Sequence, residues 1–200
     1  MLQTLLNCTK QAHYRVCLTW LPNGGRSKLT PQEDLNMANN PTTTLENVVL
    51  MYEKIGTPQF KKDSTTLTEY SVTAVIPEDD ADAFGDKYKN QKVRFLKNSE
   101  WEEKFPDIPL PYASQKKQFM ITLKKDTHKK SGEPLPDTLR PHVYLRTGAD
   151  EVEQITGVAG KGVGNGSKGS ITWDEFTNSF GTTAKLLYII VDELVVYEGG

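Results

Sequence analysis

The sequence predicts an all-β fold, mainly strands with one or two short helices, arranged as a barrel or a sandwich. Three observations carry this expectation. Short apolar stretches alternate at a period of two along much of the chain. Loops bearing proline, glycine and asparagine separate them. No helical periodicity survives beyond about two turns, except near Asp174 to Ser179.

The elements follow in order. Val48, Val49, Leu50 and Met51 make a first apolar run. Residues 65–76 are rich in β-branched side chains, and Tyr70, Val72, Ala74 and Ile76 share one face. The acidic stretch 78–90 carries a short helix around Asp80 to Tyr88. Lys92 to Leu96 reads as a strand, with Val93 and Phe95 facing one way and Lys92 and Arg94 the other. Pro106, Pro109 and Pro111 forbid long regular structure between Phe105 and Tyr112. Phe119, Ile121 and Leu123 alternate in the next strand, which runs into Lys124 and Lys125. A polar loop spans 126–141, and His142 to Thr147 forms another strand with Val143 and Leu145 on one face. Gly157 to Gly169 is expected to be a glycine-rich hairpin segment. Ile171 and Trp173 mark the strand after it, and Leu186 to Tyr197 forms a long last strand.

The 200 residues suffice for one domain that buries a core without staples. Residues 1–36 differ in character from the rest, and Met37-Ala38-Asn39-Asn40-Pro41 looks like a fresh protein start. The expected division is an N-terminal extension over 1–36, either non-native or a flexible arm, and a single domain over 37–200. The two cysteines, Cys8 and Cys17, both fall in that extension. With His13, His128 and His142 scattered, they supply no zinc framework. A reducing cytoplasm is the natural setting. No apolar stretch approaches the length of a membrane span. Lys10, His13 and Arg15 interrupt what a signal peptide would need.

The net charge is −2, but the charge is segregated. Between Lys87 and Lys130 there are twelve basic residues against five acidic ones, just after an acidic cluster of Glu78, Asp79, Asp80, Asp82 and Asp86. Single-stranded nucleic acid requires cations that track phosphates and flat side chains on which bases stack. The segment from Lys87 to Phe95 has that texture, as does Tyr112 to Lys125. On the strand from His142, the outer face would hold His142, Tyr144 and Arg146. Phe95, Phe119 and Trp173 share faces with apolar neighbours, which favours the core for them.

The glycine run from Gly160 to Gly169 admits other chemistry. A dinucleotide fingerprint needs a helix after it, yet Ser170-Ile171-Thr172-Trp173 reads as strand. A P-loop needs Gly-Lys-Ser/Thr, and the chain has Gly166-Ser167-Lys168. A tight turn that lets a phosphate backbone approach, flanked by Lys161 and Lys168, fits better. No nucleophile elbow or histidine motif points to catalysis, so the chain reads as a non-enzyme. Two alternatives stay open: a non-catalytic β-sandwich adaptor or structural module of a phage, and a nucleotide-dependent enzyme using the glycine run.

Val163-Gly164-Asn165-Gly166-Ser167, followed by the strand around Ile171, resembles a turn of the bacteriophage single-stranded DNA-binding proteins. The closing strand from Leu186 to Tyr197 is similar to theirs, as is the order of strand, acidic helix, basic strand, proline loop and lysine-rich strand over roughly residues 45–197. The resemblance implies an OB-fold, a five-stranded Greek-key barrel with extra strands and long loops. It implies binding of single-stranded DNA without sequence preference during phage replication, recombination or repair, in the cytoplasm of the infected bacterial host. No metal or cofactor is implied. Phage replication proteins would be further partners, and the protein would act as a monomer or homodimer. By the same resemblance the DNA-contacting role falls on Lys92, Arg94, Lys124, Tyr144, Arg146 and Lys168, and on Tyr88, Tyr112, Lys161 and Trp173. Many such proteins end in an acidic tail, whereas this sequence ends at Glu198-Gly199-Gly200.

Overall fold

A computed structural model describes residues 40–62 and 64–197. The N-terminal extension, both cysteines and the last three residues lie outside the described residues. Nine strands form one mixed sheet. They are β1 (Thr42–Met51), β2 (Gln59–Phe60), β3 (Thr68–Ile76), β4 (Arg94–Lys97), β5 (Lys117–Asp126), β6 (His142–Arg146), β7 (Val152–Gln154), β8 (Ser167–Asn178) and β9 (Gly181–Glu193). Two helices accompany them, α1 (Glu78–Lys87) and α2 (Asn98–Lys104).

The sheet closes on itself. Strands β5, β3, β1, β8 and β9 neighbour one another in that order, and β9 returns to β5 through a parallel pairing of Lys124 with Lys185. The result is a five-stranded, OB-like barrel within an all-β fold. β4 extends it beyond β5, β6 and β7 extend it beyond β9, and β2 continues the line of β1 along β3.

Closure demands a sharply bent first strand. β1 bends at a register shift between Leu45 and Val48, where Asn47 adopts a φ of +56°. A bulge of this kind adds a residue and kinks the strand, and asparagine tolerates the left-handed region better than most residues. The bulge also resets the alternation. Leu45 before it and Val48 and Leu50 after it all pack in the barrel core. From β3 come Val72, Ala74 and Ile76, from β5 Ile121 and Leu123, and from the last two strands Ile171, Trp173, Leu186, Ile189 and Val191. The alternation read from the sequence on β3, β5 and β6 therefore faces the core as expected.

α1 plugs this barrel. Its Ala81 and Phe84, with Tyr88 just past its end, recur at helical spacing and are all buried. Phe84 and Tyr88 meet Trp173 edge to face at 5.9 and 6.2 Å. A second, smaller core lies outside the barrel. There Trp101 of α2 and Phe105 cover Val49, Met51 and Val75, the outward residues of β1 and β3. The Trp101 indole N–H donates to the Ile108 carbonyl at 3.0 Å. Buried Gln118 fastens the proline loop. It accepts the Tyr112 N–H at 3.1 Å and donates to Asn98 Oδ1 at 2.9 Å.

Several expectations are corrected. Residues 174–178 extend β8 rather than forming a helix, because Trp173 must stay in strand register with Leu186. α2 was absent from the sequence reading, since its seven residues are too few to show a period. The last strand begins earlier, at Gly181, and stops at Glu193. The glycine run is not a hairpin. It crosses to the C-terminal segment, where Gly164 N–H donates to Val195 O at 2.7 Å and Tyr197 N–H to Gly162 O at 2.9 Å.

Gly169 has a strict steric reason. A Cβ there would lie 2.0 Å from the Ile190 carbonyl oxygen, at a register shift in β8. Gly169→Ala should therefore destabilise the barrel by about 2 kcal/mol or more, through overpacking against backbone. Urea denaturation checks this as a lower midpoint at unchanged slope.

Candidate nucleic-acid interface

The outer face of the barrel is built by the same alternation that fills the inside. On β5, the residues between the core positions are Gln118, Met120, Thr122 and Lys124, and on β3 they are Glu69, Ser71 and Thr73. Thr73 and Thr122 face each other with their hydroxyl oxygens 2.9 Å apart. Arg94 pairs with Met120 across β4 and β5, so it joins this face. At the other side of β5, Lys124 stands beside Lys185 of β9. Further along β9 come Tyr188, Ile190 and Asp192, and beside them on β6 lie His142, Tyr144 and Arg146. Arg94, Lys124, Lys185 and Arg146 thus stand on the same side of the sheet, with the ring of Tyr188 between the last two and with Met120, between Arg94 and Lys124, packed against the second core.

Exposed aromatic rings frame this face at the β8–β9 hairpin, whereas exposed Phe60 of β2 stands opposite Thr68 and so on the other side of the sheet. At the β8–β9 hairpin, Phe180 is 84% exposed and Phe176 is exposed with the Lys185 ammonium 4.4 Å from its ring centroid. An exposed ring beside a cation is the unit on which unpaired bases and their phosphates can be held.

Among the described residues, two of the face's four cations are held by carboxylates. Lys124 donates to Glu69 at 2.5 Å and Arg146 to Asp192 at 2.5 Å. The Arg146–Asp192 pair is exposed and contributes little stability, so a phosphate can displace its carboxylate at small cost, whereas Glu69 beneath Lys124 is buried. Lys125 behaves differently. Burial pushes its ammonium below the usual lysine range, the charge of Asp174 pulls it back up, and Lys185 lowers it further. Asp174 Oδ1 is buried without a hydrogen-bond partner among the described residues.

The residues singled out in the sequence divide into groups. Arg94, Lys124 and Arg146 fall on the common face, and exposed Lys92 sits two residues before Arg94. Tyr144 is on that face but only 7% exposed, packed edge-on to Tyr188 at 5.9 Å. Tyr88 and Trp173 are corrected to core residues. They are 1% and 2% exposed, and no base can reach either ring in this fold. Tyr112 is half-buried over the second core, its hydroxyl 3.1 Å from Asn47 O and 3.3 Å from Val75 O. Burial, helped by the charge of Asp80, pushes its phenol up to about 12. Lys168 lies across the barrel, paired with Glu193 at 2.7 Å. Lys161 lies in the glycine loop, paired with Glu153 at 3.0 Å.

Lys185, Tyr188, Phe176 and Phe180 were missed. The turn Asn178-Ser179-Phe180-Gly181 was the available signal. Gly181 takes a φ of +119°, and Asn178 Oδ1 accepts the Phe180 N–H at 2.8 Å. The nucleotide-enzyme reading of the glycine run is corrected as well. β8 follows the run directly, so no helix N-terminus is present to receive a phosphate. The run instead lines one wall of a cleft of about 700 Å³ with Tyr52, Lys54 and Tyr197.

No protein-family model matches the chain, and no curated protein does. Among solved structures, it is similar to the single-stranded DNA-binding protein from bacteriophage Enc34 in complex with ssDNA. That match has 19% identity and a TM-score of 0.44, covering 79% of this chain and 89% of that one. It is also similar to gp2.5, a single-stranded DNA-binding protein encoded by bacteriophage T7. There the identity is 17% and the TM-score 0.46, covering 77% of this chain and 92% of that one.

The base of the interface hairpin is anchored inside the barrel by Glu175. Its Oε1 accepts from the Tyr88 hydroxyl at 2.9 Å, Thr43 Oγ1 at 2.6 Å and Lys87 Nζ at 2.5 Å. Burial pushes this carboxyl up, but the bonds from Lys87, Thr43 and Tyr88 outweigh it and hold it below the usual range. A carboxylate lowered in the folded state stabilises above its unfolded pKa, and the gain is lost as pH falls through the folded value. Glu175→Gln should cost about 1–3 kcal/mol at neutral pH, and the deficit should shrink on acidification. Thermal melts of both proteins between neutral pH and pH of about 3 check the convergence.

Proposed function

We propose that this protein binds single-stranded DNA without reading base sequence, and that it does so on the outer sheet face of β3, β5 and β9. The single observation that carries the reading is that four cations share that side of the sheet. Arg94, Lys124, Lys185 and Arg146 stand there with Tyr188 and the Phe176 ring beneath Lys185. Phosphates would lie along the cations and displace Asp192 from Arg146. Bases would stack on Tyr188, Phe176 and the outlying Phe180. No part of this requires a metal, a cofactor or a catalytic group, so we read the protein as a binding protein rather than an enzyme.

In this reading the binding unit is the single domain over 37–200, and its role is to protect and organise single strands in phage DNA replication, recombination or repair. It would act in the cytoplasm of the infected host beside phage replication proteins, as a monomer or homodimer. Among the described residues, no helix is long and apolar enough to cross a membrane.

Two measurements test the proposal. Gel shifts with single- and double-stranded oligonucleotides should show preference for the single strand, with affinity falling by about 0.7 in log K per phosphate contacted for each unit of log salt. Lys124→Ala combined with Lys185→Ala should weaken binding and flatten that slope by about 1.4 in all. An unchanged slope in the double variant removes these lysines from the interface. Tyr188→Ala should weaken binding by about 1–3 kcal/mol, the value of one stacked base, as read by fluorescence titration.

A further inference from the structure

We propose that the reverse face of the β4–β5 ribbon is a second contact surface for the same DNA strand, which would pass from the outer face over the edge at Arg94. This rests on the single-strand reading above and extends it to residues that face the other way. Among the described residues, β4 is the last strand of the sheet on its side and pairs only with β5. Its residues alternate across the pleat. Arg94 and Leu96 belong to the outer face, while Phe95 and Lys97 point to the reverse one, opposite Phe119 and Lys117.

Three features of that reverse face point to a polynucleotide. First, Phe95 is 50% exposed, although its alternation with Val93 placed it in the core. It leans on Phe119 at 6.1 Å, and the Lys117 ammonium sits 4.3 Å from its ring centroid. Second, Lys97 and Lys117 are direct cross-strand partners. Like charges placed opposite one another destabilise a sheet unless something negative lies between them. Third, neither cation is ion-paired among the described residues, although Asp82 and Asp86 of α1 line a cleft on the far side of Phe95. Among the described residues, ion pairs hold Lys61, Lys87, Lys89, Lys124 and Lys129, but none involves Lys92, Arg94, Lys97, Lys116 or Lys117. On the outer face a carboxylate holds Lys124, whereas Lys97 and Lys117 on the ribbon have none among the described residues.

Charge on an edge strand also deters pairing with other chains. That purpose is served by lysines alone and does not account for a half-exposed phenylalanine between them. A phosphodiester strand satisfies both halves of the pattern, with a base on Phe95 and flanking phosphates on Lys97 and Lys117.

The test compares a short oligo-dT of about eight nucleotides with a long one of about 24, a range that brackets the site of a single OB barrel. Phe95→Ala and Lys97→Ala/Lys117→Ala should leave short-oligonucleotide affinity unchanged. They should weaken the long one by roughly five- to 150-fold, the affinity equivalent of one lost stack. Phe95→Trp should restore long-oligonucleotide affinity and show fluorescence quenching with the long ligand only. Circular dichroism melts establish that each variant is folded, which the exposed position of Phe95 favours. Full long-oligonucleotide affinity in folded Phe95→Ala overturns the second surface while leaving the first intact, and so does a Phe95→Trp signal that the long ligand does not quench. Equal losses on both lengths overturn the division into two surfaces. A wild-type protein that binds neither length sinks this inference together with the function on which it rests.

Discussion

Lys124 and Lys185 stand side by side where β5 meets β9, and this one parallel pairing turns the sheet into a barrel. It is a thin closure. On either side of it the two strands part, β5 to accept β4 and β9 to accept β6. It also joins two like charges, which the sheet does not favour by itself. The repulsion is relieved locally, by Glu69 on one ammonium and by the Phe176 ring beneath the other. The geometric requirement for a closed barrel and the concentration of positive charge on its outer face therefore come from the same two residues.

A seam this short holds because the interior is filled from the side. α1 inserts Ala81, Phe84 and Tyr88 against Trp173. The polar atoms this buries are then satisfied in sequence. The Trp173 indole N–H donates to the Tyr88 hydroxyl at 2.8 Å, and that hydroxyl donates onward to Glu175. Buried polar groups are tolerated when each has a partner, and here the last acceptor is a carboxylate supported by Lys87 and Thr43. Glu175 sits one residue from Phe176, so the network that seals the barrel also fixes the start of the exposed hairpin.

The distribution of charge pairing separates two kinds of basic surface. On the outer face, Lys124 and Arg146 rest against carboxylates, while Lys185 sits over the Phe176 ring. On the reverse face of the β4–β5 ribbon, Lys97 and Lys117 make no ion pair among the described residues, and Lys117 lies over the Phe95 ring. Paired cations bind polyanions by exchange, at the cost of the carboxylate they release, and unpaired ones bind by direct neutralisation. Both surfaces meet at Arg94, at the rim of the sheet.

The fold class was legible in the sequence because strand alternation is local. Val72, Ala74 and Ile76, or Ile121 and Leu123, can face only one way once the strand forms, and all of them are in the core. The grouping of Arg94 with Lys124 came from the family resemblance, and the strand register puts both on the outer side. Sequence did not reveal which faces meet. Tyr88 and Trp173 read as rings near cations, yet the docking of α1 into the barrel buries both. Phe95 read as core because of Val93, yet β4 sits at the sheet's edge and α1 leaves an open cleft beside the ring, which stays 50% exposed. Lys185 gained its importance only when closure set it beside Lys124, sixty-one positions away in the chain. Periodicity fixes the side of a strand on which a residue stands. The neighbour it finds there depends on non-local pairing, which no short window of sequence contains.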